Sequence, residues 1–349
     1  MKILFAGLGG IGQRHLRNLR LIRGDSVEVL AWRQRRLKTA LTEKLQVEPG
    51  ADVEAKYAVR VVPELEPALE SADVVFVCNP TRAHVPVALA AARAGCHLFV
   101  EKPVSNSWDG IDELLGLARA QRLVTFVGYQ MRFHPLMIRL QALVRERAVG
   151  NFITVRAEVG EYLPGWHPYE DYRTLYASRR ELGGGVILSQ IHELDYLYSL
   201  FGLPRRVFAL GGHLSRLEVD VEDVASISLE FSVDQHLLPG HLLQDYLQRP
   251  PARTCVVVGD AGKIAVDFNA VTLNRWDEKG DLAETLSLPQ FARNEMFLDE
   301  MKHFLSCVEK GEPSLIPLSE GVESLRMALA ARDSIATGRV TSMTGGEGT

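Results

Sequence analysis

Two short runs have residue types and spacing that suit chemistry. The first is Gly7-Leu8-Gly9-Gly10-Ile11-Gly12, directly behind the apolar Ile3-Leu4-Phe5-Ala6. A buried strand that empties into G-x-G-x-x-G and then a helix is built for a dinucleotide diphosphate. Gly7 permits the tight turn, and Gly9 has no side chain to hold the phosphates away. Gly10 and Ile11 open the helix whose free N–H groups face the anion, and Gly12 lets that helix pack close to the strand. A glycine-rich surface turn is the plain alternative, and the position between strand and helix decides against it. The second run is Glu101-Lys102-Pro103, after the apolar His97-Leu98-Phe99-Val100. A lysine at the mouth of a parallel strand lies near the topological switch, where a nicotinamide would rest. Burial and a nearby positive charge lower its pKa, and it can hydrogen-bond a substrate oxygen.

These runs need a scaffold. Apolar segments at 27–31, 73–78, 97–100 and 123–127 alternate with amphipathic helix patterns at 11–22, 35–45, 64–71, 82–94 and 107–121. That alternation predicts an α/β domain, a parallel sheet covered on both faces with ligands beyond the carboxyl ends of its strands. After about residue 150 the period changes. Half-alternating segments at 152–159, 207–210, 224–231, 237–243, 255–258, 263–268 and 271–274 read as a large, mostly antiparallel open sheet. Several are joined by short turns such as Gly259–Lys263. Helix patterns at 133–147, 187–201, 293–310 and 319–337 make this second part α+β. The expected division is a Rossmann domain over 1–127, a substrate-binding and oligomerisation domain over 128–340, and a disordered tail over 341–349.

The second strand ends Ala31-Trp32-Arg33-Gln34-Arg35-Arg36, with no carboxylate to hold the ribose hydroxyls of NAD. Arg33 could stack on the adenine and bind a 2′-phosphate in a planar fork, which favours NADP over NAD. The stretch Leu163-Pro164-Gly165-Trp166-His167-Pro168-Tyr169-Glu170-Asp171-Tyr172-Arg173 offers Trp166 as an apolar face for a sugar ring, with His167, Arg173 and the neighbouring Arg179 as polar contacts. The same stretch reads equally as an interface loop.

Composition narrows the classes further. With 349 residues, 46% hydrophobic and 24% charged, the chain reads as a soluble protein of about two domains. A net charge of −5 gives no basic footprint for nucleic acid. No apolar run reaches the roughly 18–20 residues of a bilayer span, and Met1 leads straight into the first strand, so a cytoplasmic, membrane-free protein is expected. Cys78, Cys96, Cys255 and Cys307 are far apart, which fits reduced thiols and no metal site.

Taken in order, the motifs resemble the glucose–fructose oxidoreductase / inositol dehydrogenase / MocA (Gfo/Idh/MocA) family. The opening glycine run with His15, then Asn79-Pro80-Thr81-Arg82-Ala83-His84, then Ala94–Pro103, then Gly128–Pro135, and finally Gly183-Gly184-Gly185 with His192-Glu193-Leu194-Asp195 follow its pattern to about residue 195. The resemblance implies Asn79, Pro80, His84 and Glu101 beside the nicotinamide, with Lys102 also lining the cofactor. It implies His192 as general acid/base and Lys102 offsetting charge on the same substrate oxygen. The implied reaction is NAD(P)-dependent hydride transfer at a secondary alcohol or ketone of a sugar, sugar derivative or nucleotide sugar, by a homodimer or homotetramer. One position departs from the pattern: Ser189 stands three residues before His192 where many relatives carry aspartate. Ser189 could orient the substrate or Lys102 but is no base near neutral pH. Two other readings are a non-redox glycosidase or lyase that keeps a tightly held NAD, and a nucleotide-sensing regulator.

Overall fold

The computed structural model describes residues 1–33 and 38–343. Gln34, Arg35 and Arg36, the start of the expected helix at 35–45, and the tail from residue 344 lie outside the described residues.

The first lobe is built from β1 (Lys2–Ala6), α1 (Gly10–Arg23), β2 (Glu28–Trp32), β3 (Thr39–Leu41), β4 (Val47–Asp52), α2 (Val53–Lys56), β5 (Val59–Val62), α3 (Glu66–Leu69), β6 (Val74–Val77), α4 (His84–Arg93), β7 (His97–Val100), α5 (Ile111–Ala120) and β8 (Thr125–Val127). Six of these strands form one parallel sheet in the order β5-β2-β1-β6-β7-β8. β1 and β6 are buried almost throughout, as strands covered on both faces must be. Phe5, Phe76 and Phe99 stack across three neighbouring strands at 4.8 and 4.7 Å between ring centroids. Each ring buried in this way stabilises the lobe by roughly 2–3 kcal/mol. The order of strands reverses beside β1, so β1 and β6 open a crevice at their carboxyl ends.

One expectation fails here. The described part of the 35–45 segment is not helical; β3 and β4 pair as a small antiparallel hairpin. The buried Gln13 on α1 explains it. Its amide donates to the Thr39 carbonyl at 3.0 Å and accepts from the Leu41 N–H at 2.8 Å. Two bonds at that spacing suit extended backbone, and Pro49-Gly50 downstream favours no helix.

The second lobe contains α6 (Pro135–Arg145), β9 (Phe152–Gly160), α7 (Val186–Ser189), α8 (His192–Phe201), β10 (Arg206–Gly212), β11 (Val224–Val233), β12 (His236–Asp245), β13 (Ala252–Gly259), β14 (Gly262–Asp267), β15 (Thr272–Trp276), β16 (Leu282–Ser287), α9 (Asn294–Lys310), α10 (Leu318–Thr337) and β17 (Thr341–Ser342). Its nine strands run in the order β16-β15-β14-β13-β9-β12-β11-β10-β17. All neighbours are antiparallel except β9 and β12. The expected helix at 187–201 is two pieces, α7 and α8, broken at Gln190-Ile191. β16 went unread because its side chains are half or fully exposed and carry no apolar alternation.

The C-terminal helices return to the first lobe. Phe304 of α9 meets Phe76 and Phe99 edge-on at 5.8 and 5.5 Å, and Asn294 exchanges a 2.9 Å bond with Asn18 of α1. The Ile316 carbonyl receives the Val127 N–H at 2.9 Å, and Tyr129 bonds Ser324 of α10 at 2.6 Å. Sequence order and spatial order therefore part: α9 and α10 cover the first sheet and tie the two lobes together. Among the described residues no helix is long and apolar enough to cross a membrane, and all four cysteines are buried and unbridged.

His134 caps α6, its Nδ1 accepting the Leu136 N–H at 3.1 Å between the rings of Phe268 and Phe291. Burial, with Arg253 adding repulsion, pulls its pKa down to about 4. The folded chain thus binds fewer protons here than the unfolded one. The stabilisation is full above 6.5 and is lost as pH falls toward 4. His134→Asn keeps a cap and removes the titration, so between pH 7 and 4 it should lose about 3 kcal/mol less than the natural protein in urea unfolding. Parallel acid limbs for the two proteins would refute this.

Candidate active site

The glycine loop leaves β1 and enters α1 as the sequence requires. Gly7 has φ +100°, and a Cβ there would lie 2.9 Å from the Asn79 nitrogen and from the Cys78 carbonyl. A Cβ on Gly12 would stand 2.3 Å from the Gly7 oxygen. Both positions are closed to any side chain. Gly9 instead faces open space. No side chain caps α1 and no acid occupies its first turn. The free N–H groups and the positive end of the helix, from Gly10 and Ile11 onward, are therefore left for an anion.

Two further loops meet beside this one. After β6, Asn79 donates its amide to the Ala83 carbonyl at 3.0 Å, while its Oδ1 is buried with no partner among the described residues. After β7 comes Glu101-Lys102-Pro103. Buried His84 ties the two loops together, Nε2 lying 2.8 Å from the Asn79 carbonyl and Nδ1 2.8 Å from the Pro103 carbonyl. Burial lowers the His84 pKa, favouring a neutral ring that donates to one carbonyl at a time. Pro80 opens the turn between them. Glu101 is also buried. One carboxylate oxygen takes His15 Nε2 at 2.5 Å and the other takes the Lys102 backbone N–H at 3.1 Å. His15 therefore packs inward and anchors α1 to the lysine loop.

Lys102 is partly buried, and its ammonium donates to the Ser189 carbonyl at 2.8 Å. Burial is the main cause that pulls its pKa down to about 8, against the attraction of Glu101 and with help from Arg253. Three residues beyond Ser189, His192 opens α8 at 4% exposure. Its pKa falls well below 6.5, first through burial and then through Lys102, Arg253 and Arg293. The imidazole is thus neutral beside an ammonium. Gln130 holds it, amide nitrogen to Nε2 at 3.1 Å, and Nδ1 has no partner among the described residues. A second cross-link follows two and three residues on. Arg132 grips the fully buried Asp195 through two bonds of 2.9 and 2.7 Å and is itself buried. Underneath, Arg253 of β13 pairs with the buried Glu193 at 2.9 Å.

The remaining sequence candidates are spread more widely. Ser189 is buried, with its hydroxyl beside that of Tyr246 and its carbonyl committed to Lys102. The Arg33 side chain is 3% exposed and bonded to Glu54 at 2.7 Å. Trp166 packs edge-on against Tyr246 at 5.3 Å. His167 lies 3.1 Å from Glu170 and stacks on Tyr169. Arg173 sits at the surface, its guanidinium taken by Asp171 and Glu218. Arg179 is half-buried two residues from the exposed end of that loop. Of the whole set, the structure brings Lys102, Ser189 and His192 into one cluster, with the glycine loop tied to it through His15 and Glu101. Gln130, Arg132, Arg253 and Glu193 were missed as site residues. Gln130 and Arg132 stand inside the quoted Gly128–Pro135 motif, which was the available signal; Arg253 sits on a strand with nothing to mark it. Among the described residues no cluster of His, Cys, Asp or Glu could hold a metal.

The residues fit a nicotinamide dinucleotide. Open space at Gly9 and the uncapped helix suit its diphosphate, and the orphaned Asn79 oxygen suits an amide donor. Comparison with known proteins agrees. Residues 1–129 match the family described as an oxidoreductase family with an NAD-binding Rossmann fold, and residues 137–265 match the GFO/IDH/MocA C-terminal domain. The chain is 27% identical over 355 residues to a myo-inositol 2-dehydrogenase of Thermotoga maritima, covering 96% of each chain. It is 25% identical over 291 residues to a UDP-N-acetylglucosamine 3-dehydrogenase of Acidithiobacillus ferrooxidans, covering 81% of this chain and 84% of that one. Its fold superposes on a dehydrogenase from Bordetella pertussis, solved with NADH and UDP-GlcNAcA, with a TM-score of 0.79 at 20% identity over 99% of each chain. The chain belongs to the Gfo/Idh/MocA family and is an NAD(P)-dependent oxidoreductase.

Proposed function

We propose that this protein moves hydride between a nicotinamide and a secondary alcohol, or the matching ketone, of a sugar-type substrate. The first lobe, 1–127, holds the dinucleotide, and the lobe from 128 to 340 shapes the substrate pocket. The observation that carries the reading is the convergence of Lys102 and His192 on the Ser189 turn, at the open end of the parallel sheet. Relatives named for inositol and for UDP-N-acetylglucosamine support a ring hydroxyl as the reacting group.

When bound, the nicotinamide supplies the hydride donor or acceptor. The protein handles the proton. With a pKa of about 8, Lys102 is mostly ammonium at neutral pH and can release its proton at modest cost. Aimed at the substrate oxygen, its Nζ–H stabilises the alkoxide character that develops there. Neutral His192, its Nε2 accepting from the Gln130 amide, carries its own proton on Nδ1 and would hydrogen-bond the same oxygen, leaving the proton transfer to Lys102. Ser189 contributes its carbonyl, which orients Lys102; a carboxylate at that position would instead raise the lysine pKa. Use of NADP through Arg33 would require that guanidinium to leave Glu54 for the 2′-phosphate. Trp166, His167 and Arg179 belong to the loop that would border the substrate.

The test is a panel of inositols, ketosugars and nucleotide sugars, offered with NAD and with NADP. The absorbance of reduced nicotinamide should change in stoichiometric step with one of them. Tight dinucleotide binding with no absorbance change for any polyol, ketone or nucleotide sugar would refute the assignment.

A further inference from the structure

The second lobe reaches across to the glycine loop. A Cβ built on Gly10, the first residue of α1, would lie 2.8 Å from the hydroxyl of Tyr169 and 3.9 Å from its Cζ. Leu45 of the first lobe's hairpin turn closes the other side at 3.4 Å. Tyr169 comes from the long segment between β9 and α7. That segment is anchored to the large sheet: the Leu163 N–H donates to the Tyr246 carbonyl at 3.1 Å, and Trp166 packs on the Tyr246 ring. The aromatic ring of Tyr169 is held flat against His167, with centroids 5.4 Å apart and planes 17° from parallel, and His167 is in turn bonded to Glu170. A stiff aromatic arm therefore carries one hydroxyl over to the uncapped start of α1.

We propose that Tyr169 is a dinucleotide ligand supplied by the second lobe, its hydroxyl donating to a diphosphate oxygen seated on the Gly9–Ile11 turn. Three observations meet there. The turn has no side-chain cap and no acid of its own. The space beside Gly9 is open, while the space beside Gly10 is filled by the tyrosine. A phenol is a donor with no charge to repel an anion, and a hydrogen bond to a charged acceptor is among the stronger kinds. Gly10 then has a reason beyond the backbone: a side chain there would displace the Tyr169 hydroxyl. The arm also links the diphosphate to the lobe that shapes the substrate pocket, so dinucleotide binding would draw the two lobes together.

The inference rests on the dinucleotide reading and is tested by binding, without turnover. Calorimetric titration of the full chain with NAD and with ADP-ribose, which lacks the nicotinamide, should give both ligands a similar loss in Tyr169→Phe. The expected loss is about tenfold or more in Kd, the size of one charge-assisted hydrogen bond. Gly10→Ala, which pushes against the hydroxyl, should weaken both ligands in natural protein but much less in the Tyr169→Phe background. Unchanged affinity in Tyr169→Phe overturns the proposal, and so does tighter binding, which would mean that the hydroxyl stands in the diphosphate's place. If the natural protein takes up neither ligand, the dinucleotide reading itself fails.

Discussion

Lys102→Met is expected to lower kcat about a thousandfold while leaving dinucleotide affinity within roughly threefold. The size follows from what the ammonium does. In the proposed site it is the cation set to face the substrate oxygen, and it is already partly withdrawn from water. Its hold on the Ser189 carbonyl fixes the direction of Nζ. The pH dependence has a definite sign. Ketone reduction needs the ammonium, so its rate should fall as pH rises through about 8; alcohol oxidation needs the free amine and should rise through the same value. In Lys102→Met both limbs should vanish. Rates of reduction and oxidation that keep their natural pH profiles in the variant would remove Lys102 from the chemistry. Steady-state kinetics in both directions, with calorimetric binding as the control, make the measurement.

Asp195→Asn should be the most damaging single change to stability among the residues near the site. Arg132 and Asp195 are buried together, bonded through Nε and a terminal nitrogen to both carboxylate oxygens. Removing the anion leaves an uncompensated guanidinium in the core, at a cost of about 3–5 kcal/mol. The pair also lies one turn along α8 from His192, and Arg132 stands two residues from Gln130. Two parallel cross-links therefore join the same two segments, Gln130 to His192 and Arg132 to Asp195. Loss of the second should loosen the first. The urea midpoint should drop sharply, and activity in the folded fraction should fall as well. An unfolding free energy within about 0.5 kcal/mol of the natural protein's would show that the pair is not a structural clamp.

The parallel sheet was legible where its strands are continuous apolar runs, and β1, β6, β7 and β8 fall within a residue or two of their expected places, whereas the edge strand β5, interrupted by Arg60 and largely exposed, went unread. Hydrophobic period reports burial, so it reads best where both faces are covered. It fails where something else decides. The β3–β4 hairpin is set by one buried amide on α1, a contact between residues 26 and 28 positions apart that no local pattern announces. β16 is exposed and patternless. The break between α7 and α8 falls inside a stretch that is buried on all sides, polar residues included, where a helical period does not mark the turn. At the site, the glycine run and Lys102 announced themselves because their chemistry requires those residue types. Gln130, Arg253 and Tyr169 did not, since an amide, a strand arginine and a loop tyrosine acquire their meaning only from what folding places beside them. Arg33 shows the reverse. Its position at a strand end suited a phosphate, yet its side chain is folded inward onto Glu54.

The central claim is that a nicotinamide ring comes to lie against Lys102 and His192 at the carboxyl end of the parallel sheet. The structure of the chain with reduced dinucleotide bound tests it most directly. The account predicts the diphosphate on the Gly9–Ile11 turn, the carboxamide at Asn79, and the ring's reactive face turned toward the Lys102 ammonium and the His192 imidazole. A ring held elsewhere, with those two side chains out of its reach, would contradict it.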